Sequence, residues 1–451
     1  MKPAGSRRVS NMNMYNVVKA SELKADQFRI HPDTARELGL SKQGDVIVHF
    51  GMNSHPAIVN ISNKAGNREL HVHEALIAQL AIPTFCRYAL VVSGNEVTLG
   101  PFIGILMEES RVSRLRDDPC YRPFMRYVHS YDQIGGAIMA FSMTGINGEQ
   151  ARISGYMYNP EERRWLKGVF SYPSAIVKRI RLPEKLEQVL QDAINGNRLF
   201  NIPNMNKWQM HKLLLSFPEL RQHVPDGTLY KSAAELDHFL NIHPNIYVKP
   251  VHGCDGVEIM KLSKKSEGLL AMYRTKEGNN QLLFKTSTEF HQFLRRGSKN
   301  TFMLQKELKL ISLDERIIDF RLNLVKNQAG EWKGIGLFAR YGASGSIISN
   351  MSAGGRAKHA LKAFREWMRM SSTEAKAYMK QMHVIGLKIV RNLESNGGLY
   401  ANVGIDFGMD VDRKIWIIEV NTVDPGFSYF ELEGKLNNML YAKRLAGFAE
   451  Q

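Results

Sequence analysis

The chain has 451 residues, 44% hydrophobic and 23% charged, with 60 Lys and Arg against 44 Asp and Glu for a formal charge of +16. Single cores stop growing at roughly 250 to 300 residues, so two or three globular domains are expected, and the lack of any apolar run near the ~20 residues that span a bilayer excludes a transmembrane helix. Three cysteines, Cys86, Cys120 and Cys254, with no CxxC pair, exclude a disulfide framework and a cysteine zinc site and read as reduced thiols.

The N-terminal MKPAGSRRVSNMNMYNVV carries basic residues but no apolar h-region and no small-residue cleavage site, so a cytoplasmic location is expected. The positive charge favours anionic partners. Lys and Arg are nevertheless scattered, without a long basic run and interleaved aromatics, which points to a solvated basic surface that includes a phosphate site rather than to nucleic acid.

From about Ala20 to Gly100, alternating segments such as GDVIVHFG, PAIVNIS and GNEVTLG read as strands and turns of a separable β-rich unit. Inside it, HPDTARELGLSKQGDVIVHF reads as a short helix, a turn at Gly44 and a strand. A second region opens with the apolar strand GPFIGILME, passes through the Arg-rich RVSRLRDDPCYRP, and continues with PFMRYVHSYDQIGGAIMAFSM, a helix leading into a strand. ISGYMYNPEERRWLKGVFSYPSAIVKRI follows as strands, which makes a small α/β domain ending near Pro203. From Asn204 onwards strands and helices mix. The longest helix is expected to start at Ser371, with a capping box to Glu374, to carry Ala375, Tyr378, Met382, Ile385 and Ile389 on one face, and to stop at Asn396-Gly397-Gly398. The resulting domains are 1–100, 101–203 and 204–451.

The chemistry concentrates in the last of these. In IWIIEVNTVDPG, Glu419 and Asn421 share one strand face, and a hairpin with YANVGIDFGMDVDRK turning at Asp412-Arg413 places Asp406 opposite Glu419. Cross-strand neighbours lie about 5 Å apart, and two carboxylates that close need a positive group between them, such as Mg²⁺; the alternative is a pair of solvent-facing polar residues. In NIYVKPVHGCDGVEIMKL, Lys249 ends a strand beside a loop holding Gly253 and Gly256, suited either to phosphate or to a plain turn, with VEIMKL resuming as a strand. Lys207 sits at a helix start, where anions are favoured. FMLQKELKL is an apolar strand interrupted by Gln305, Lys306 and Glu307. In DFRLNLV, Arg321 either grips phosphate or pairs with Asp319 as a structural bridge. Asn350 precedes a Gly354-Gly355 turn.

In this order, Lys207, VKP with its glycine loop, QKEL, DFR, an Asn followed by GG, then Asp406 and thirteen residues later EVN with Pro-Gly, the chain resembles the ATP-grasp superfamily from about Asn204 onwards. GPFIGILME, FSYPSAIVKRI, NKWQMHKLL, IYVKPVHGCDGVEI, SNMSAGG, IEVNTVDPG and YAKRLAG make the whole chain similar to the YheC/YheD family, spore-coat-associated ATP-grasp proteins of endospore-forming bacteria. The resemblance implies an α+β multidomain fold in which two α+β subdomains grip ATP, preceded by a pre-ATP-grasp α/β domain and the β-rich unit. It also implies that Lys207, Lys249 and Gln305 serve the nucleotide, that Gly253 to Gly256 form a flap, that the backbone of Lys306 and Leu308 meets adenine, that Asp406, Glu419 and Asn421 hold Mg²⁺, with two ions expected, and that Arg321, Arg340 and Asn350 complete the catalytic region. The flap departs from the pattern with His252, Cys254 and Asp255. Gly404 stands where some relatives have an arginine, so Arg321 or Arg340 must supply that charge, and Asn206 replaces an Asp as a helix cap.

The implied chemistry is Mg²⁺- and ATP-dependent ligation of a carboxylate to an amine through an acyl phosphate, on a peptide or cell-envelope substrate, with spore-coat proteins as further partners. Two alternatives are a nucleotide-binding coat-assembly protein without turnover and a small-metabolite kinase.

Overall fold

The computed structural model describes residues 13–40, 44–253, 256–275, 278–314, 316–342 and 356–449. The N-terminal strands close on themselves as a barrel of seven strands from Tyr15–Lys19 to Glu96–Gly100. Alternation drives this closure: in Gly44–Phe50 the inward Val46, Val48 and Phe50 are buried while their neighbours face out. The short helix Pro32–Glu37 precedes that strand, which begins at Gly44 itself.

The next sheet is built on Phe102–Leu106, flanked by the parallel strands Ala137–Phe141 and Ala175–Lys178. Every residue of these three strands is buried, the signature of a parallel strand covered on both faces. Between the first two, the single helix expected in PFMRYVHSYDQIGG is instead two one-turn helices, Arg122–Met125 and Tyr131–Ile134. Pro123 opens the first, Ser130 leaves helical geometry with ψ near 44°, and Gly135 and Gly136, both at positive φ, end the second. Barrel and sheet share one continuous apolar core, and the last helix, Glu431–Leu445, returns across the chain to cover the sheet's other side with Met439, Tyr441 and Ala442.

Two further antiparallel sheets follow. One has the spatial order Gly227–Leu229, Phe302–Lys306, Asn245–Pro250, Met260–Lys265, Gly268–Arg274, Asn279–Phe284; the other runs Arg356–His359, Trp332–Tyr341, Arg316–Lys326, Asn402–Met409, Ile415–Asn421. The long helix spans Ser372–Ser395, capped by Ser371 with both capping-box bonds to Glu374 and ended at Asn396, with Gly397 at φ +82°. It buries Ala375, Met382, Ile385, Ile389 and Leu393 on one side; each large side chain contributes about 1.5–3 kcal/mol of burial. Gly386 lets the helix lie close to the sheet, because a Cβ there would meet Leu322 Cδ2 at 2.5 Å and Leu324 Cδ1 at 3.2 Å. Gly386→Val is therefore expected to overpack this contact and destabilise the fold by about 1–3 kcal/mol, read as a lower midpoint of urea unfolding; an unchanged midpoint would show that the helix can lift from the sheet at no cost.

Candidate active site

The hairpin of Asn402–Met409 and Ile415–Asn421 sets Asp406 opposite Glu419 and Gly404 opposite Asn421. Its turn differs from the two-residue version expected. The Asp410 N–H donates to the Lys414 carbonyl at 3.1 Å, Arg413 takes φ +63°, and the side chain and backbone of Asp410 organise the loop. Phe407 pairs with Ile417, so Ile418 is an extra residue in a bulge between the turn and the carboxylates. The bulge absorbs the longer turn and leaves Asp406 facing Glu419.

Asp406 is almost fully buried and bound by two guanidinium groups. Arg321, directly across the sheet on the neighbouring strand, makes a bidentate pair with it, Nη2 to Oδ2 at 2.8 Å, and Arg340 Nη2 approaches Oδ1 at 2.9 Å. Arg340 is itself forked on Asp319, its cross-strand neighbour, at 2.7 and 2.6 Å. The bridge between Asp319 and Arg321 weighed from the sequence is thus not the one formed: each arginine takes the carboxylate opposite it, because cross-strand neighbours are nearer than residues two apart on one strand. Burial alone would raise the Asp406 carboxyl, but the two guanidinium groups outweigh it and hold the group at about 2. Gly404 makes room for this arrangement, since a Cβ there would sit 3.2 Å from Arg321 Nη1 and 2.6 Å from Pro425 Cβ.

Facing this cluster across a cleft of about 810 Å³ are the two lysines. Lys207 is the first residue of the helix Lys207–Ser216, whose N-cap Asn206 forms a capping box with Gln209. Its ammonium spans the cleft to Glu419 Oε1 at 3.0 Å and to the Gly253 carbonyl at 2.7 Å. Lys249 donates to Gln305 Oε1 at 2.5 Å and lies 5.5 Å from the centre of the Tyr247 ring. Burial lowers the Lys249 ammonium to about 8, with Glu419 opposing and Lys207 adding to the shift. Beyond Gly256 the hairpin enters its next strand at Met260, not at Val257, because Glu258 adopts φ +57° in the turn.

At the far end the cleft is lined by Tyr247, Met210, Met303 and Ile417, with the ion pair Lys261–Glu307 at 2.6 Å on its edge. The Lys306 N–H donates to the Asp226 carbonyl at 2.9 Å, whereas the Leu308 N–H meets no acceptor among the described residues. His211 lies here too, stacked on Trp208, with Nε2 buried and unpartnered among the described residues. Burial pushes it down to about 4, helped by Lys249, so it is a neutral imidazole at pH 7. The third wall comes from the parallel sheet, where Arg111, Arg179 and Arg181 line the same cleft as Asp424.

The structure therefore brings Lys207, Lys249, Gly253, Gly256, Gln305, Lys306, Leu308, Asp406, Glu419 and Asn421 to one cleft, with Arg321 and Arg340 behind Asp406. Asn350, the Gly354-Gly355 turn, Cys254 and Asp255 lie outside the described residues. No group of three His, Cys, Asp or Glu side chains able to hold a metal exists among the described residues. Two carboxylates and an amide on one sheet face still suit Mg²⁺, which keeps its waters and takes further oxygens from substrate phosphates. Sequence reasoning missed Asp319 as the partner of Arg340, His211, and the arginines of the second sheet. Arg111 did stand in a conspicuous basic stretch and Arg179 at the end of an apolar strand.

A family model described as YheC/D like ATP-grasp matches residues 196–450. The chain is 27% identical over 377 residues to the endospore coat-associated protein YheD of Bacillus subtilis (strain 168), covering 79% of this chain and 80% of that protein. It is 23% identical over 239 residues to the endospore coat-associated protein YheC of the same organism, covering 52% and 64%. Among solved structures it is similar to the D-alanine-D-alanine ligase from Coxiella burnetii, with 12% identity, a TM-score of 0.45, and 77% and 94% of the two chains covered. With a family match across more than half its length, the chain belongs to the YheC/D-like ATP-grasp family.

Proposed function

We propose that this protein is a Mg²⁺/ATP-dependent ligase that joins a carboxylate to an amine, acting in the cytoplasm of a spore-forming bacterium on a peptide or cell-envelope component. The observation that carries this reading is the convergence in one cleft of eight Lys and Arg side chains, Lys207 and Lys249 among them, with six carboxylates among the described residues, while Arg321 and Arg340 stand behind Asp406. That surplus of positive charge, at a place lined on one side by apolar groups, suits a nucleotide polyphosphate. The units of this reading are the barrel of 1–100, the α/β domain of 101–203 and the grasp of 204–451, and the described residues that line the cleft come from the last two.

In this reading the adenine lies against Tyr247 and Met303 with its edge on the backbone of Lys306 and Leu308, and Gln305 positions Lys249. Lys207 and Lys249 bind the phosphates beneath the Gly253–Gly256 flap. Asp406, Glu419 and Asn421 would hold Mg²⁺, one ion or two, which when bound withdraws charge from the γ-phosphoryl oxygens. A carboxylate oxygen of the first substrate attacks the γ-phosphorus and ADP leaves, giving an acyl phosphate. The amine nitrogen then attacks the acyl carbon, loses a proton and expels inorganic phosphate. Arg321 and Arg340, with Asn350, supply positive charge and hydrogen bonds where negative charge develops; positioning and neutralisation are the protein's whole task in such transfers.

A second reading has one observation in its favour: Asp406 and Glu419 are both already paired with cationic side chains. In it the protein binds the nucleotide as a coat-assembly component and turns nothing over. Release of ADP that depends on an acid and an amine, with the amide product identified by mass, separates the two readings and also excludes a kinase.

Removing a proposed metal ligand provides the sharpest test. Glu419→Gln, on a side chain about one third exposed, is expected to lower ligation by at least about 10²-fold while the fold stays intact; unaltered turnover rejects the metal role. Asp406→Ala is expected to abolish turnover too, but also to cost about 3–5 kcal/mol of stability by leaving the Arg321 guanidinium without its carboxylate and Arg340 with Asp319 alone, visible as a lower melting temperature.

The depressed Lys249 ammonium gives a pH dependence. Its charged form binds phosphate, so ATP affinity is expected to stay level below pH 8 and to fall as pH rises through 8 towards 10, with Lys249→Met removing that fall. The empty protein behaves oppositely: burial disfavours the charged form, the unfolded chain holds the proton to higher pH, and stability rises between pH 8 and 10. Titration calorimetry and thermal melts across pH 7 to 10 check both signs.

A further inference from the structure

Arg179 follows the strand Ala175–Lys178, and Arg111 lies a turn beyond the neighbouring parallel strand Phe102–Leu106. Both therefore stand at the carboxyl ends of parallel strands, where open α/β sheets present their binding crevices. Arg179 is 6% exposed and lines the cleft. Its Nη2 meets one oxygen of Asp424 and its face lies 5.1 Å from the Phe427 ring, while Nε and Nη1 donate to nothing among the described residues. Arg111 Nη1 approaches the other Asp424 oxygen at 3.9 Å.

A buried guanidinium with two idle donors is an expensive arrangement. Its planar fork is made for a bidentate carboxylate, whereas Asp424 engages a single nitrogen. Asp424 is also displaceable: its side chain is about one third exposed, on the loop that leaves the strand carrying Glu419 and Asn421. Asp424 lies only three positions beyond Asn421, which limits the separation of their Cα atoms to about 10 Å. A molecule that reaches from this fork to the reacting centre is thus one or two amino acids long.

We propose that Arg179 and Arg111 form an anchor for a second carboxylate of the substrate, not the one that is activated, and that Asp424 occupies this anchor until the substrate displaces it. The substrate class is an amino acid or short peptide with a free C-terminal carboxylate. The assignment of a reacting centre beside the anchor rests on the ligase reading; the anchor itself does not require turnover.

The test is a titration of the full chain, without nucleotide, with glycylglycine and with glycylglycinamide, which differ only in the anchored group. Asp424→Asn is expected to tighten binding of the acid about tenfold and leave the amide unchanged. Adding Arg179→Gln, or Arg111→Gln at a half-exposed side chain should Arg179→Gln fail to fold, is expected to erase the gain. If Asp424→Asn binds acid and amide alike, or neither, the proposal is overturned and the pair is a structural tie. An equal gain with inorganic phosphate overturns it in favour of a phosphorylated substrate. Glu419→Gln is expected to leave the carboxylate-dependent gain in place, so failure of ligation and failure of the anchor are read separately.

Discussion

The buried Asp406 carboxylate, bound by Arg321 on one side and Arg340 on the other, is the interaction on which the C-terminal half depends. It is one rung of a charge ladder running across the sheet: Arg340 joins Asp319 to Asp406, and Arg321 closes on Asp406 from the strand between. Such a ladder works as a unit, because removing its central Asp406 takes the carboxylate from Arg321 and half of the counter-charge from Arg340. It also fixes the strand register. A one-residue slip of Arg316–Lys326 would turn both Asp319 and Arg321 to the opposite face.

The ladder shapes the chemistry of the cleft as well. Asp406 is kept ionised by its arginines, so an anionic oxygen is present at every physiological pH. On the other side, Lys249 is squeezed towards neutrality by burial while Lys207 crosses the cleft to Glu419. Lys207 on Glu419 and the two arginines on Asp406 thus lean on one another across the cleft, and a polyphosphate or cation entering there would exchange partners with them. The Arg179–Asp424 contact follows the same logic at the third wall.

Several features were legible because they are local. The helix from Ser372 to Ser395 announced itself through its capping box, its apolar stripe and its terminal glycines. The alternation of Glu419 and Asn421 on one face needs nothing beyond the two-residue period of a strand. Family resemblance then suggested roles for residues whose individual signals were weak, and the structure gathers most of them in one cleft. What stayed illegible was non-local: Ile418 as a bulge, Asp319 paired with Arg340 rather than Arg321, and a C-terminal helix packed on a sheet more than 200 residues upstream.

By itself, then, the sequence determined which charged and amide side chains exist, in what order, and which of them share a strand face or cap a helix, since those properties arise within a few residues. Tertiary structure decided who neutralises whom. Pairing across strands and between sheets depends on register, bulges and domain docking, which are set by summed packing over distant segments and leave no periodic trace in any one of them. That is why Arg179 and Asp424, 245 positions apart, meet in the same cleft without either announcing the other.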